Sequence, residues 1–201
     1  MKPPFYLNCM DPGGTTGLGL IRVTDETYIS LEQEVAAYLK DDTSAISILK
    51  EWRQTYDDLP HVLVYENFHV RPVRAIPDTT ALRVIGDLEA WIHTADPNTA
   101  KALRMLHGIQ GMVHAGAQSV FTEALGLLRV NTGAEESPYA LVVAQEPVQA
   151  KNLVTDDILK LLGLKAQGPY SVHINDAHRH AAAWLALRRY LPVCTTGWPQ
   201  N

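Results

Sequence analysis

Apolar residues along this chain fall into short runs with two different periods. Phe5-Tyr6-Leu7-Asn8-Cys9-Met10 is an extended run that closes on Asp11. Pro12 disfavours helical backbone in the residue before it, which keeps Asp11 extended at the strand end. Gly13-Gly14 supplies a tight turn, and 18–23 reads as the returning strand. A further turn at Asp25-Glu26 leads into a third strand over 28–31, so the chain opens as an antiparallel meander. Ile46, Leu49 and Trp52 then recur near helical spacing within a helix over 43–56. Val62-Leu63-Val64-Tyr65 is almost uninterrupted in its apolarity, as a strand buried on both faces requires, and it terminates in Glu66.

The segment 68–77, with two prolines, Arg71 and Arg74, reads as a loop. Asp78 or Thr79 caps a helix running to about 94, whose stripe is Ala81, Leu82, Ile85, Leu88, Trp91 and Ile92. Asp96-Pro97-Asn98 breaks it, and a second helical stretch follows over 99–118, continuing in pieces to 128. A loop over 133–138 precedes a strand over 139–144. Thr155 caps a short helix closed by Gly163. After an extended stretch over 170–174, a last helix starts at Asn175 or Asp176 and ends before Pro192. The order β-β-β-α-β-α-(α)-β-α-α predicts an α/β fold with a mixed five-stranded sheet, antiparallel meander plus parallel strands, flanked by helices. A single domain is expected over 1–192, with a helical insertion at about 96–138 and a C-terminal tail at 193–201.

Composition narrows this picture only modestly. A length of 201 residues suits one domain with a sizeable core. No apolar run approaches the roughly 20 residues that span a bilayer, so no membrane association is expected. Met1-Lys2-Pro3-Pro4 does not read as a signal peptide. Cys9 and Cys194 form no disulfide or ligand pattern, Cys9 reading as a small core residue, and a cytoplasmic location is expected. The net charge of −5 does not advertise a nucleic-acid binder, yet a partner feels the local field. Local basic clusters are Arg71/Arg74, Lys101/Arg104, Lys151/Lys160/Lys165 and Arg179/Arg188/Arg189, each of which also reads as a solvated face.

Chemistry concentrates at three places. Asp11 and Glu66 each end a buried strand; if those strands are adjacent and parallel, both carboxylates emerge at one sheet edge. Like charges that close are unfavourable unless one is protonated or a cation lies between them. Hard divalent cations prefer such oxygen ligands. The third place is His173-Ile174-Asn175-Asp176-Ala177-His178-Arg179-His180-Ala181, where His173, Asp176 and His180 can share one side while His178 points elsewhere. A histidine pair flanking an aspartate is able to hold a transition metal. Plainer readings stand beside these: Asp11 as a turn residue, Glu66 as a loop-facing carboxylate, Asn175 or Asp176 as a helix cap, and His180 as a structural histidine.

With these residues in view, the chain resembles the RuvC-like Holliday junction resolvases, and within them the phage-encoded type, of the RNase H-like superfamily. Asp11-Pro12-Gly13-Gly14-Thr15-Thr16-Gly17-Leu18-Gly19-Leu20 is similar to the family's first motif, Tyr65-Glu66-Asn67 to its second, and His173-x-x-Asp176-Ala177 to its third. The resemblance implies an RNase H-like sheet in which strands one and four are parallel neighbours. It also implies a structure-specific endodeoxyribonuclease that resolves Holliday junctions or other branched DNA, leaving 5′-phosphate ends. Asp11, Glu66, His173 and Asp176 would be catalytic and would bind two Mg2+ or Mn2+ ions, with Asp11 shared between them, His180 being a further candidate. Lys151, Arg71 and Arg74 would contact DNA, and a homodimer would pair two sites.

The length of the 96–138 stretch and the acidic charge depart from a compact member of that family. Three other readings share part of the pattern. An RNA-processing YqgF-like nuclease has a related site. A phosphate-binding kinase or ATPase uses a similar first motif but needs two such domains. A non-catalytic DNA-binding protein could retain the fold, though the intact acidic set argues against it.

Overall fold

The computed structural model describes residues 2–24, 28–38, 44–68, 80–93, 138–188 and 190–191. These contain strands β1 (Phe5–Asp11), β2 (Thr15–Val23) and β3 (Ile29–Tyr38), helix α1 (Ser44–Thr55), strand β4 (His61–Glu66) and helix α2 (Thr80–His93). Strand β5 (Leu141–Gln145) and helices α3 (Pro147–Leu153), α4 (Asp156–Leu161) and α5 (Ser171–Leu187) follow. They fall into two compact units, one within Met1–Asp11, Thr15–Asn67 and Tyr139–Asn201, the other within Pro12–Gly14 and Phe68–Pro138. In the second unit, α2 buries one apolar face that includes Leu82, Ile85, Leu88 and Ile92. The expected insertion at 96–138 (Pro138 apart), the helical stretch 99–118, the tail 193–201, and the basic residues Arg71, Arg74, Lys101, Arg104 and Arg189 lie outside the described residues.

The first unit carries the sheet, in the order β3-β2-β1-β4-β5. β1 pairs antiparallel with β2 and β2 with β3, while β4 lies parallel to β1 and β5 parallel to β4. This is the expected mixed five-stranded sheet, with strands one and four as parallel neighbours. β1 and β4 are buried on both faces, which accounts for their continuous apolar runs.

Alternation along the strands sorts side chains between the two faces. Phe5, Leu7 and Cys9 of β1, Ile21 and Val23 of β2, and Val62 and Val64 of β4 enter one core with Ala177, Ala181, Trp184 and Leu185 of α5 and Val154 and Leu159 beside it. Phe5 meets Trp184 and Tyr190 edge-on at ring separations of 6.0 and 5.5 Å. On the opposite face Tyr6 meets Tyr56, just past the end of α1, at 5.4 Å.

Several local expectations are met. Thr155 caps α4 by accepting a hydrogen bond from the Ile158 amide, and Gly163, at φ 70°, closes it. Among the described residues positive φ occurs at Gly163, Gly168 and Tyr170, so the Gly13-Gly14 turn does not use left-handed backbone. Other expectations are corrected. α5 begins at Ser171 rather than at Asn175 or Asp176, after Tyr170 in a left-handed conformation. Asn175 is therefore no cap; it is buried, accepting from the Ala166 amide at 2.9 Å and donating to the Ala166 carbonyl at 3.3 Å. α3 was not among the expected elements; proline at its first helical position is favourable.

Candidate active site

One row of residues crosses the sheet at the edge where β1, β4 and β5 end. Asp11 pairs with Gly17 on β2. Glu66 stands one step past the Met10–Tyr65 pair, beside Asp11 in the parallel β1–β4 ladder. Glu66 in turn pairs with Gln145 on β5. The row Gly17–Asp11–Glu66–Gln145 shares a parity with Cys9 and Val64 and so faces α5. The strand ends are joined further by the Asn67 amide donating to the Gln145 carbonyl at 2.8 Å.

Above this row runs the first half of α5. His173, Asp176 and His180, at i, i+3 and i+7, fall on one helix face. Two glycines allow the helix so close. A Cβ at Gly17 would stand 2.0 Å from the His173 carbonyl oxygen, and one at Gly19 would stand 2.5 Å from His178 Nε2. Any larger residue at Gly17 displaces helix backbone, because it is the carbonyl that is met. The alanines at 177 and 181–183, all fully buried, continue the close approach.

The polar contacts then follow. His173 Nδ1 lies 3.6 Å from Asp11 Oδ2. His180 Nε2 lies 3.0 Å from Glu66 Oε2, and its Nδ1 lies 3.0 Å from Gln145 Oε1. Lys151 Nζ, half-exposed on α3, is 3.2 Å from Asp176 Oδ2. Arg179 donates to Asp176, to Asp156 at the start of α4, and through Nε to the Val154 carbonyl at 3.2 Å. Asp156 is held in addition by Lys165 at 2.6 Å. His178 turns away from the row: it is fully buried, with Nδ1 donating to the Leu164 carbonyl at 2.6 Å.

Electrostatics mark Asp11 as the centre of the cluster. Burial, the charge of Glu66 and the charge of Asp176 together push its pKa up to about 8, with Lys151 opposing and a hydrogen bond to Glu66 adding to the rise. A hydrogen bond between two carboxyl groups requires a proton on one of them, which is the protonated form of the close carboxylate pair. Lys151 is held above the ordinary lysine range: burial lowers it, but Asp176, Glu66 and Asp11 outweigh that.

Asp11, Glu66, His173, Asp176, Lys151 and His180 are thus brought to one edge of one unit. Among the described residues no three His, Cys, Asp or Glu donors close on a single point. The carboxylates instead satisfy one another and the neighbouring cations. Their chemistry nevertheless fits a hard divalent ion: three carboxylates and one imidazole, with a proton and two side-chain cations balancing charge that such an ion would balance. Gln145 and Arg179 are members of the site that motif spacing does not disclose, and Gly17 and Gly19, though within the first motif, gain their packing role only in the structure. The parity of Gln145 with Glu66 at the ends of successive parallel strands is the one sequence feature that points to it.

No protein-family model matches the chain, and no curated protein matches it. Among solved structures it is similar to T. thermophilus RuvC in complex with Holliday junction substrate, at 16% identity and a TM-score of 0.46, covering 92% of this chain and 96% of that one. It is also similar to a Thermus thermophilus RuvC structure, at 15% identity and a TM-score of 0.44 over the same shares. No helix among the described residues is long and apolar enough to cross a membrane.

Proposed function

We propose that this chain is a metal-dependent endonuclease that hydrolyses phosphodiester bonds in branched DNA, four-way junctions foremost, leaving 5′-phosphate ends. The observation that carries the reading is the convergence of Asp11, Glu66 and Asp176 at one sheet edge, with His173 beside Asp11 and the Asp11 pKa pushed up to about 8. Carboxylates held this close favour a cation between them. Asp11, Glu66, Asp176 and His173 would hold two Mg2+ or Mn2+ ions. Ions so bound supply Lewis-acid stabilisation of phosphate charge and a more acidic water.

The remaining work falls to the protein. Arg179 fixes the Asp176 carboxylate against α4, and Gly17 sets the distance between α5 and β2. Lys151 stands at the rim, half-exposed, where a phosphate would approach. Arg71 and Arg74 are proposed as further backbone contacts, and a homodimer as the form that cuts both strands of a junction.

Labelled four-way junction, flap, duplex and RNA substrates, incubated with Mg2+, Mn2+ or EDTA, test the reading. Cutting of branched DNA is expected with either metal and not in EDTA, and both Asp11→Asn and Asp176→Asn should bind the junction without cutting it. Undiminished cutting by both variants would remove the carboxylates from the active site. RNA cleavage alone would transfer the centre to RNA processing, and ATP hydrolysis without nucleolysis would move it to the phosphate-binding class.

A further inference from the structure

His180 meets both Glu66 and Gln145 through its two ring nitrogens, and those two are register partners at the ends of β4 and β5. It is fully buried, and neither ring nitrogen faces water. Glu66 and Gln145 are themselves almost wholly buried. The ring therefore stands as a strut between α5 and two adjacent strand ends. It meets one Glu66 oxygen, Oε2, through Nε2.

A glutamate side chain at the end of a strand has three rotatable bonds, and ordering it costs side-chain entropy. A hydrogen bond at Oε2 opposes that freedom. Gln145, held at Nδ1, fixes the plane of the ring, so that the Nε2 vector is set from two sides. The neighbouring residue, Arg179, has the same role for Asp176 on α5 itself, whose carboxylate it grips.

We infer that His180, oriented by Gln145, is a positioning residue that holds the Glu66 carboxylate in place for cation binding and is not itself a ligand. The inference rests on the proposed reading of the Asp11–Glu66–Asp176 cluster as a metal centre. Groups that orient a metal's carboxylate ligands typically contribute about 10–100-fold in metal affinity.

Glutamine and asparagine at position 180 separate this role from mere space-filling. The glutamine amide reaches to the place of Nε2 and keeps the contact to Glu66. The asparagine amide reaches only to the place of Nδ1 and keeps the contact to Gln145. Mn2+ binding to the full chain, measured by calorimetry and by the spin-resonance signal of free Mn2+, is expected to stay within about 3-fold of wild type in His180→Gln. In His180→Asn it is expected to weaken about 10–100-fold. Equal affinities in the two variants, whether both unchanged or both reduced, would overturn the inference. If His180→Asn fails to fold by circular dichroism, Gln145→Leu takes its place: weakened Mn2+ binding supports the strut, and wild-type affinity in the folded variant overturns it. A wild-type protein that takes up no Mn2+ sinks the metal-centre reading and the strut with it. Wild-type uptake with equal His180→Gln and His180→Asn affinities sinks the strut alone.

Discussion

Gly17 lies directly beneath His173: a Cβ on Gly17 would stand 2.0 Å from the His173 carbonyl oxygen, 2.2 Å from its carbonyl carbon and 2.7 Å from the Ile174 nitrogen. All three atoms are backbone, so no side-chain rotation relieves the contact. The glycine therefore sets the height of α5 above the sheet, and with it the approach of His173 and Asp176 to Asp11.

Gly17→Ala is expected to destabilise the protein by about 1–3 kcal/mol, the usual cost of overpacking. It should also weaken Mn2+ binding, because α5 can yield only by moving its first turn. Gly163→Ala serves as the control. Gly163 sits at φ 70° with nothing within 4 Å of an added Cβ, so the cost there is conformational alone, about 1 kcal/mol. Urea unfolding of both variants with Mn2+ titration checks the contrast; equal metal affinity in wild type and Gly17→Ala would refute the link between helix height and the site.

Proton release should accompany metal uptake. With the Asp11 pKa at about 8 in the metal-free protein, a cation that binds its carboxylate displaces a proton below that pH. Mn2+ affinity is expected to rise roughly tenfold per pH unit between about 6 and 8 and then level off. The same shift has a sign for stability. A carboxyl group whose folded pKa is raised contributes stability that is full below its ordinary value of 3.8 and is lost as pH rises from there to about 8. In EDTA, wild type should lose thermal stability up to about pH 8 more steeply than Asp11→Asn, and the two should run parallel above it. A flat Mn2+ affinity over pH 6–8 would mean that Asp11 already binds as carboxylate.

His178 acts in the opposite sense. Burial holds its pKa at about 4, below the ordinary 6.5, with the bond to the Leu164 carbonyl opposing. Glu34 on β3 faces Nε2 at 3.9 Å, but the neutral ring forms no ion pair with it. Between pH 6.5 and 4 the unfolded chain takes up a proton that the folded chain refuses. The stability is therefore complete above 6.5 and falls by about 3 kcal/mol toward pH 4. His178→Asn keeps a donor near the place of Nδ1 and cannot titrate, so its unfolding free energy should depend less steeply on pH across that window. Parallel slopes for the two proteins would argue against His178 as the source.

Much of the sheet was legible in sequence because its determinants are local. Pro12 kept Asp11 extended, and the continuous apolar run 62–65 marked a strand buried on both faces, which set both carboxylates at strand ends. The start of α5 was not legible. Tyr170, Val172 and His173 read as extended, and what starts the helix is a left-handed Tyr170 that no local preference announces. The roles of Gly17, Gly19, Gln145 and His180 depend on which strand ends lie side by side beneath which turn of α5. Tertiary packing decides that, and spacing along the chain does not reveal it.

Lys151 is the residue we propose to join the site to DNA. On α3 it is half-exposed, 3.2 Å from Asp176, and its charge is also felt by Glu66 and Asp11. A cation at the carboxylates would compete for Asp176 and leave the Lys151 ammonium to a phosphate. A partly exposed pair of this kind contributes about 0–1 kcal/mol to folding, so Lys151→Ala should unfold within that margin of wild type. Its effect should fall on DNA. Each phosphate contact steepens the salt dependence of binding by about one unit of log–log slope. Four-way junction binding by Lys151→Ala, measured by fluorescence anisotropy with Ca2+ at 50 to 200 mM salt, should be weaker at every sequence tested, with a slope lower by about one. The Mn2+ profile gives a second reading: without the lysine the Asp11 pKa rises further, so the levelling of affinity should move above pH 8. A changed Mn2+ profile with an unchanged salt slope would assign Lys151 to balancing the carboxylates and take it out of the DNA interface.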